Sequence, residues 1–260
     1  MTVVDYSYAP PSTWNAAWRN QFFVYDALVE IERWLKTDTS SAVLLDSDVV
    51  WTGFAVDDFW KDLDRRGSLT YAIDYPVDSD INGLSRRQLT ALASDIIVLP
   101  DRHVVRYCGG EFIAATRDNL AALNATAREL WPIVMRRHVE GLINVREEAH
   151  LLSLAVMRLG LDVGGGNAYI KRLWTQPLKP RNVTADDSKL ALWHVPAEKR
   201  YGLRRLYRQL SASYFKGGAI THAVDSAQLA KRLGIPYNTL GKTVADVGAA
   251  ARSRLVHKLG

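Results

Sequence analysis

The sequence predicts an α/β domain in which a mixed sheet is flanked by helices, with a small helical C-terminal appendage. Three observations carry this. Short β-type apolar runs alternate with amphipathic helical segments over most of the chain, which is the pattern of an α/β layer. The run Ala42-Val43-Leu44-Leu45 is continuously apolar and leads into Asp46-Ser47-Asp48, as a strand covered on both faces does where it reaches a solvent-facing edge. Residues beyond about 215 hold only helical spacing, so the expected division is 1–215 for the α/β domain and 216–260 for the appendage.

Length and composition set the bounds. At 260 residues, 48% of them hydrophobic and 23% charged, the chain is long enough for one large domain plus a small appendage, and its composition excludes a disordered polymer. A lone cysteine, Cys108, excludes an internal disulfide framework and fits a reducing compartment. The start Met1-Thr2-Val3-Val4-Asp5 lacks a basic leader and a long apolar core, and no apolar run reaches the length of a membrane span, so the expected address is the cytoplasm. A net charge of +5 and a pI near 9.3 favour anionic partners, which include nucleotide phosphates, nucleic acid and lipid surfaces.

In order, Thr2 to Tyr8 reads as a short strand closed by Pro10-Pro11, and Ser12-Thr13 as the cap of a helix from Trp14 to Leu35. Its apolar residues Trp18, Phe22, Tyr25, Leu28, Val29 and Trp34 recur mostly at three- and four-residue steps and define one buried face. Arg19, near its start, is either a solvated charge or a phosphate contact. After the Asp46 strand come a helix over Val56 to Leu63, a strand over Ser68 to Ile73, an acidic connection holding Asp74, Asp78 and Asp80, and a helix over Ser85 to Ala93. Strands are expected at Ile96 to Leu99 and at His103 to Tyr107. Thr116 is placed to cap a helix whose core face holds Leu120, Leu123, Ala127, Leu130, Trp131 and Val134.

Three stretches carry chemistry. Asp46 and Asp48 fall on the same side under two-residue alternation and can offer oxygens to one hard divalent cation, Mn2+ or Mg2+, which in turn can hold a diphosphate. Gly109-Gly110, ahead of Glu111-Phe112, permits either a strand bulge or close approach of a ligand. Asn144 can cap a helix whose first turn holds Glu147 and Glu148, where negative charge is favourable beside free N–H groups, and His150 follows as either a satisfied histidine or a ligand.

The order of Asp46-Ser47-Asp48, then Gly109-Gly110-Glu111-Phe112, then Glu147-Glu148-Ala149-His150-Leu151 resembles the metal-dependent, retaining glycosyltransferases of the GT-A fold, most nearly the blood-group A/B and α-1,3-galactosyltransferase family. The likeness spans roughly residues 15 to 175, with Arg19 and Gln21 where that family has a basic residue and a Gln, and Leu173-Trp174 where it has an aromatic segment. It implies a GT-A-like (Rossmann-like) mixed sheet. It also implies that Asp46 and Asp48 hold the cation and the nucleotide-sugar diphosphate, that Glu147 contacts the donor sugar, and that Glu148 faces the anomeric carbon as nucleophile or stabiliser. Gly109, Gly110 and Glu111 would border donor and acceptor. Leu192-Trp193-His194, with Lys199 five residues later, resembles the glycogenin-like transferases, which implies His194 as third metal ligand and Lys199 on the diphosphate. Leu152 stands where the blood-group family has Asn, so the sugar stays open.

In the tail, Ser226 to Lys242 has the spacing of a helix-turn-helix, with Ala230 at a close helix approach, Gly234 in the turn and Leu240 packing inward. No third helix is evident ahead of it. The pair is either a structural hairpin or a DNA contact, and in the second case the acceptor can be a hydroxylated base in DNA. The expected function is transfer of a sugar from a nucleotide-diphosphate sugar to a hydroxyl acceptor, a glycan or a modified nucleic acid, with retention. The alternatives are a nucleic-acid-binding protein with a non-catalytic GT-A-like domain and a metal-dependent nucleotide-sugar hydrolase.

Overall fold

The computed structural model describes residues 7–14, 17–36, 40–98, 104–176, 179–215 and 226–259. In chain order the elements are α1 (Phe23–Trp34), β1 (Ser41–Leu45), β2 (Val49–Trp51), α2 (Val56–Arg66), β3 (Ser68–Ile73), β4 (Asp80–Ile81), β5 (Leu84–Ser85), α3 (Arg86–Ile96), β6 (Tyr107–Thr116), α4 (Arg117–Val139), α5 (Glu148–Arg158), β7 (Ile170–Arg172), β8 (Leu192–His194), α6 (Gly202–Phe215), α7 (Ser226–Leu233) and α8 (Leu240–Leu259). Helices and strands alternate, so the chain is a mixed α/β protein, as the periodicity predicts. It packs as two compact units: Met1–Leu45 with Trp60–Asn167, and Asp46–Phe59 with Ala168–Gly260. No described helix is long and apolar enough to cross a membrane.

The first unit is built on β6. This strand lies between β1 and β3, antiparallel to both, and only Gly110 and Thr116 along it escape full burial. The central place explains why its sequence, Glu111 apart, is apolar or small on both faces. By contrast β1 lies at the edge of the sheet that the described strands form, and every residue in it is half-buried, so its apolar run does not mark a strand covered on both sides. β3 matches the expected range. Between Thr70, opposite Ile113, and Tyr71, opposite Gly109, the register jumps, and Gly110, Glu111 and Phe112 form a bulge on β6.

Helices α1, α4 and α5 pack together, α5 also against β6, and their apolar faces share one core with Leu28, Leu120, Leu130, Leu151 and Leu154. The Trp14 and Trp131 rings flank Phe22, with centroids 5.7 and 5.1 Å from it. The helix expected from Trp14 begins only at Phe23, after a 3₁₀ turn over Arg19–Phe22, which leaves Trp18 and Trp34 exposed rather than on the buried face.

Helix starts differ from expectation in an instructive way. Ser85 caps α3 in a full capping box with Gln88. Thr116 sits at the cap position of α4, but its hydroxyl donates to the Gly67 carbonyl at 3.1 Å. Asn144 does not cap α5. Its amide donates to Val134 O at 2.7 Å while its own carbonyl accepts from Val145 N, and the cap residue is Glu147. The segment expected as a strand at Ile96 closes α3 instead, and Tyr107 opens β6; Leu99, His103 and most of the Thr2–Tyr8 strand lie outside the described residues. In the acidic connection, β4 and β5 form a hairpin across Asn82-Gly83, both at positive φ (52° and 103°), the two-residue turn that Asn-Gly favours.

In the second unit β8 is central, antiparallel to β2 and parallel to β7. Its three residues are all buried, and the Trp193 indole donates to Asp187 O at 2.7 Å. Trp193, Leu173 and Val195 meet Leu229, Leu233 and Ile235, so α7 is part of this unit's core. The turn after α7 uses Gly234 at φ 75°, and Arg181 holds it by donating to the carbonyls of Gly234, Pro236 and Thr175. α6 packs on α7 and supplies the helix that the sequence pattern lacked ahead of the pair. The second helix is turned differently from the expectation. Leu240 is 86% exposed, while Lys242 and Asp246 face inward.

Those two residues belong to a buried ionic network. Lys242 Nζ lies 2.8 Å from Glu198 Oε1 and also pairs with Asp246, Arg205 lies 2.8 Å from Asp246 Oδ1, and the Glu198 carboxylate accepts from the Thr175 hydroxyl and, at 2.7 Å, from Gly202 N–H. Removing one partner leaves the buried others without their compensating charge. Lys242→Met is therefore expected to cost about 3 kcal/mol or more, read as a lower urea midpoint, whereas a midpoint equal to the parent's would show that the network is dispensable.

Candidate functional site

Asp46 and Asp48 do not lie on one straight strand. The chain leaves β1 at Leu45, turns with Val49 N–H bonded to Asp46 O at 3.0 Å, and enters β2 at Val49. The turn, not strand alternation, brings the two carboxylates together. Antiparallel pairing of β2 with β8 sets His194 opposite Val49, and Val195 N–H donates to Asp48 O at 3.0 Å, so backbone bonds on both sides hold Asp48 beside His194. One ligand atom from each of Asp46, Asp48 and His194 lies within 4.8 Å of the others.

The electrostatics of this trio centre on Asp48, which is 1% exposed. Its Oδ2 lies 3.4 Å from His194 Nε2 and 3.1 Å from Lys199 Nζ, where Lys199 extends from the 3₁₀ turn Pro196–Arg200. Among the described residues nothing donates a hydrogen bond to its Oδ1. Burial pushes the Asp48 carboxyl up, but the bonds and charges of His194 and Lys199 outweigh it, so the group sits below the usual carboxylate range and is ionised. A buried anionic oxygen with no donor is costly, and a cation is the partner that removes the cost. Two carboxylates and an imidazole fit a divalent ion, with the imidazole favouring Mn2+ over Mg2+.

The first unit holds a separate cluster around Glu147 and Glu148. Glu147, 3% exposed, accepts from Asn82 of the β4–β5 turn and from the Tyr107 hydroxyl, each at 2.5 Å. Burial first, then Glu147, push the Tyr107 phenol well above its ordinary range, so it is a permanent donor. Glu148 is half-buried. The Gln21 amide, oriented so that its nitrogen faces the carboxylate, donates to Glu148 Oε2 at 2.6 Å, and the Tyr25 hydroxyl donates to the Glu148 carbonyl at 2.7 Å. Gly109 and Gly110 are bare for a steric reason. A Cβ on Gly109 would meet the Glu111 carboxylate, and one on Gly110 would meet that of Glu148. The glycine pair therefore serves both a bulge and a close approach, the approach being by the protein's own carboxylates.

The structure thus gathers the residues singled out in the sequence into two sets. Asp46, Asp48, His194 and Lys199 meet in the second unit, and Gly109, Gly110, Glu111, Glu147 and Glu148 in the first. Arg19 joins neither: its guanidinium donates to Ser12 O at 2.8 Å and to Trp14 O at 3.4 Å. Asn82, Tyr107 and Tyr25 escaped the sequence reading. The Asn82-Gly83 dipeptide was a usable hairpin signal; nothing marks the two tyrosines apart from other core aromatics. No protein-family model matches this chain, and no curated protein matches it.

His150 resolves to a structural histidine. Its Nδ1 accepts from Arg146 N–H at 3.1 Å, which leaves the proton on Nε2, 3.0 Å from Ile81 O. Burial pushes its pKa down from 6.5 to about 4. The folded state therefore refuses a proton that the unfolded chain accepts, so this contribution is present above pH 6.5 and is lost as the pH falls through about 4, amounting to about 3 kcal/mol. Urea unfolding of His150→Gln is expected to show a flatter pH dependence across that window than the parent; an unchanged slope would contradict the assignment.

Proposed function

We propose that the chain is a metal-dependent glycosyltransferase that moves a sugar from a nucleotide-diphosphate sugar to a hydroxyl acceptor with retention of configuration. The observation that supports it most is the convergence of Asp46, Asp48 and His194 within 4.8 Å, with a buried Asp48 oxygen left without a donor. These three residues would hold Mn2+ or Mg2+. Such a cation neutralises charge on a departing diphosphate. Lys199 adds a positive charge on a half-exposed side chain 3.1 Å from Asp48, within reach of phosphate oxygens that come to the same carboxylates.

Further support comes from the order of motifs along the chain and from the way Glu148 is held. Gln21 fixes its carboxylate, Tyr25 fixes its backbone, and the residue is half-buried. An oriented carboxylate of this kind is able to attack or stabilise an oxocarbenium-like carbon, which is the role the resemblance assigns to it. Glu147, taken up by Asn82 and Tyr107, anchors the start of α5 and with it the orientation of Glu148.

The test is turnover of nucleotide sugars with Mn2+, with and without hydroxyl acceptors, in the parent and two variants. Asp48→Asn is expected to abolish metal-dependent nucleotide binding and turnover while keeping the fold, because a neutral amide is a poor ligand. Glu148→Gln is expected to bind donor and metal nearly normally and to lose roughly a hundredfold in turnover, because the missing charge matters mostly in the transition state. Full activity of either variant would contradict the proposal. Donor hydrolysis that no acceptor diverts would turn the reading to a hydrolase.

A further inference from the structure

Lys199 combines a fixed backbone with a side chain that is free to turn. In the 3₁₀ turn Pro196–Arg200, Glu198 N–H donates to Val195 O at 2.9 Å and Tyr201 N–H donates to Glu198 O at 3.0 Å. The neighbouring Glu198 is fully buried, and its carboxylate is taken up by Thr175, Gly202 and Lys242. The turn is therefore anchored on both sides of position 199. The Lys199 side chain, by contrast, is 52% exposed, while the Asp48 carboxylate that it pairs with at 3.1 Å is 1% exposed. A compact ammonium on a flexible stem can change partners by rotation about its own side-chain bonds, with the turn left as it is.

Lys199 and a divalent cation make claims on the same carboxylate. Lys199 Nζ pairs with Oδ2 of Asp48, and Asp48 is also one of the three residues whose ligand atoms converge with those of Asp46 and His194. Two carboxylates balance a divalent cation. A lysine that stays on Asp48 then adds a positive charge without a counterpart beside the ion, and in a partly buried site this repulsion is several times stronger than in water. An anion that comes to the cation offers the ammonium a new partner, and the exposed end of the side chain can turn toward it.

We propose that Lys199 is a counter-ion switch: it neutralises Asp48 while the carboxylates hold no cation, opposes binding of the cation alone, and passes to the diphosphate when cation and diphosphate bind together. The site is thereby selective for the pair over the free metal ion. This inference rests on the cation site proposed above and adds its regulation, since binding of the cation and of the diphosphate become mutually dependent by the same factor in either order. Two plainer roles make different demands. If Lys199 only braced Asp48, its loss would weaken cation binding; if it only touched phosphate, its loss would leave binding of the cation alone unchanged. The switch requires that binding of the cation alone become tighter.

The experiment titrates Mn2+ into the full chain, alone and with inorganic pyrophosphate, and counts free Mn2+ by its electron paramagnetic resonance signal against the same titration without protein. Lys199→Gln is expected to bind Mn2+ alone about tenfold tighter than the parent, and the factor by which pyrophosphate raises Mn2+ affinity is expected to fall about tenfold. Lys199→Arg keeps the charge and is expected to bind Mn2+ alone as the parent does. Without metal, Lys199→Gln is expected to melt a few degrees below the parent because Asp48 has lost a partner, and saturating Mn2+ is expected to raise its melting temperature by more than it raises the parent's. Lower stability together with higher affinity in one variant separates this role from damage to the fold. Mn2+ affinity that is unchanged or weaker in Lys199→Gln, a coupling factor equal to the parent's, or Lys199→Arg behaving as Lys199→Gln does would overturn the switch and leave the cation site standing. A parent chain that binds no Mn2+ would overturn the cation site and the switch with it.

Discussion

A carboxylate taken out of water has to be met by charge or by hydrogen bonds, and Asp48 is met only in part. Its Oδ2 has Lys199 and His194, while its Oδ1 has no donor. Much of the second unit follows from keeping this group where it is. β2 must pair with β8 in the register that sets Val49 against His194, and Val195 must reach the Asp48 carbonyl. Those bonds fix where β8 ends and where the Pro196–Arg200 turn begins. That turn presents Lys199 to Asp48 and its neighbour Glu198 to the helices. Glu198 then gathers Thr175, Gly202 and Lys242, and Lys242 brings Asp246 and Arg205. The C-terminal helices are tied to the metal-motif strand pair through two consecutive side chains.

Glu147 in the first unit shows the contrasting solution. It is as deeply buried as His194, yet Asn82 and Tyr107 satisfy its oxygens with neutral donors. A carboxylate so supplied has its oxygens met by donors, whereas one oxygen of Asp48 is left without a donor. This difference, more than the Asp-x-Asp spelling, makes Asp48 rather than Glu147 the candidate for a cation site. The two glycines answer to carboxylates too: a Cβ on Gly109 would meet that of Glu111, and one on Gly110 that of Glu148.

Periodic and local signals survived the passage from sequence to structure. The strand Ser68–Ile73 has its expected range, the helix from Val56 runs three residues past its expected end at Leu63, to Arg66, and Ser85 caps α3 through Gln88, because hydrophobic alternation and capping chemistry are properties of neighbouring residues. The trio Asp46, Asp48 and His194 was legible because its residue types are ligands whatever the backbone does. What failed depended on partners that the local pattern does not name. The apolar β1 turned out to be an edge strand, since strand order is not written in one strand's composition. Asn144 found Val134 and Val145 instead of a helix end. Lys242, Asp246 and Glu198 look like surface charges in sequence, and only the fold brings them together out of water. Leu240 was assigned inward by helix-turn-helix spacing, but the ionic network rotates α8 so that Lys242 takes the inner face.

The central claim is that Asp48's unsatisfied oxygen belongs to a cation site completed by an imidazole. Electron paramagnetic resonance of Mn2+ added to the full chain tests it most directly, since a directly bound nitrogen leaves a hyperfine signature. The account predicts one tight Mn2+ per chain with nitrogen coupling that disappears in His194→Ala while weaker binding by the carboxylates persists. Mn2+ that binds without nitrogen coupling, or coupling that survives the loss of His194, would contradict it.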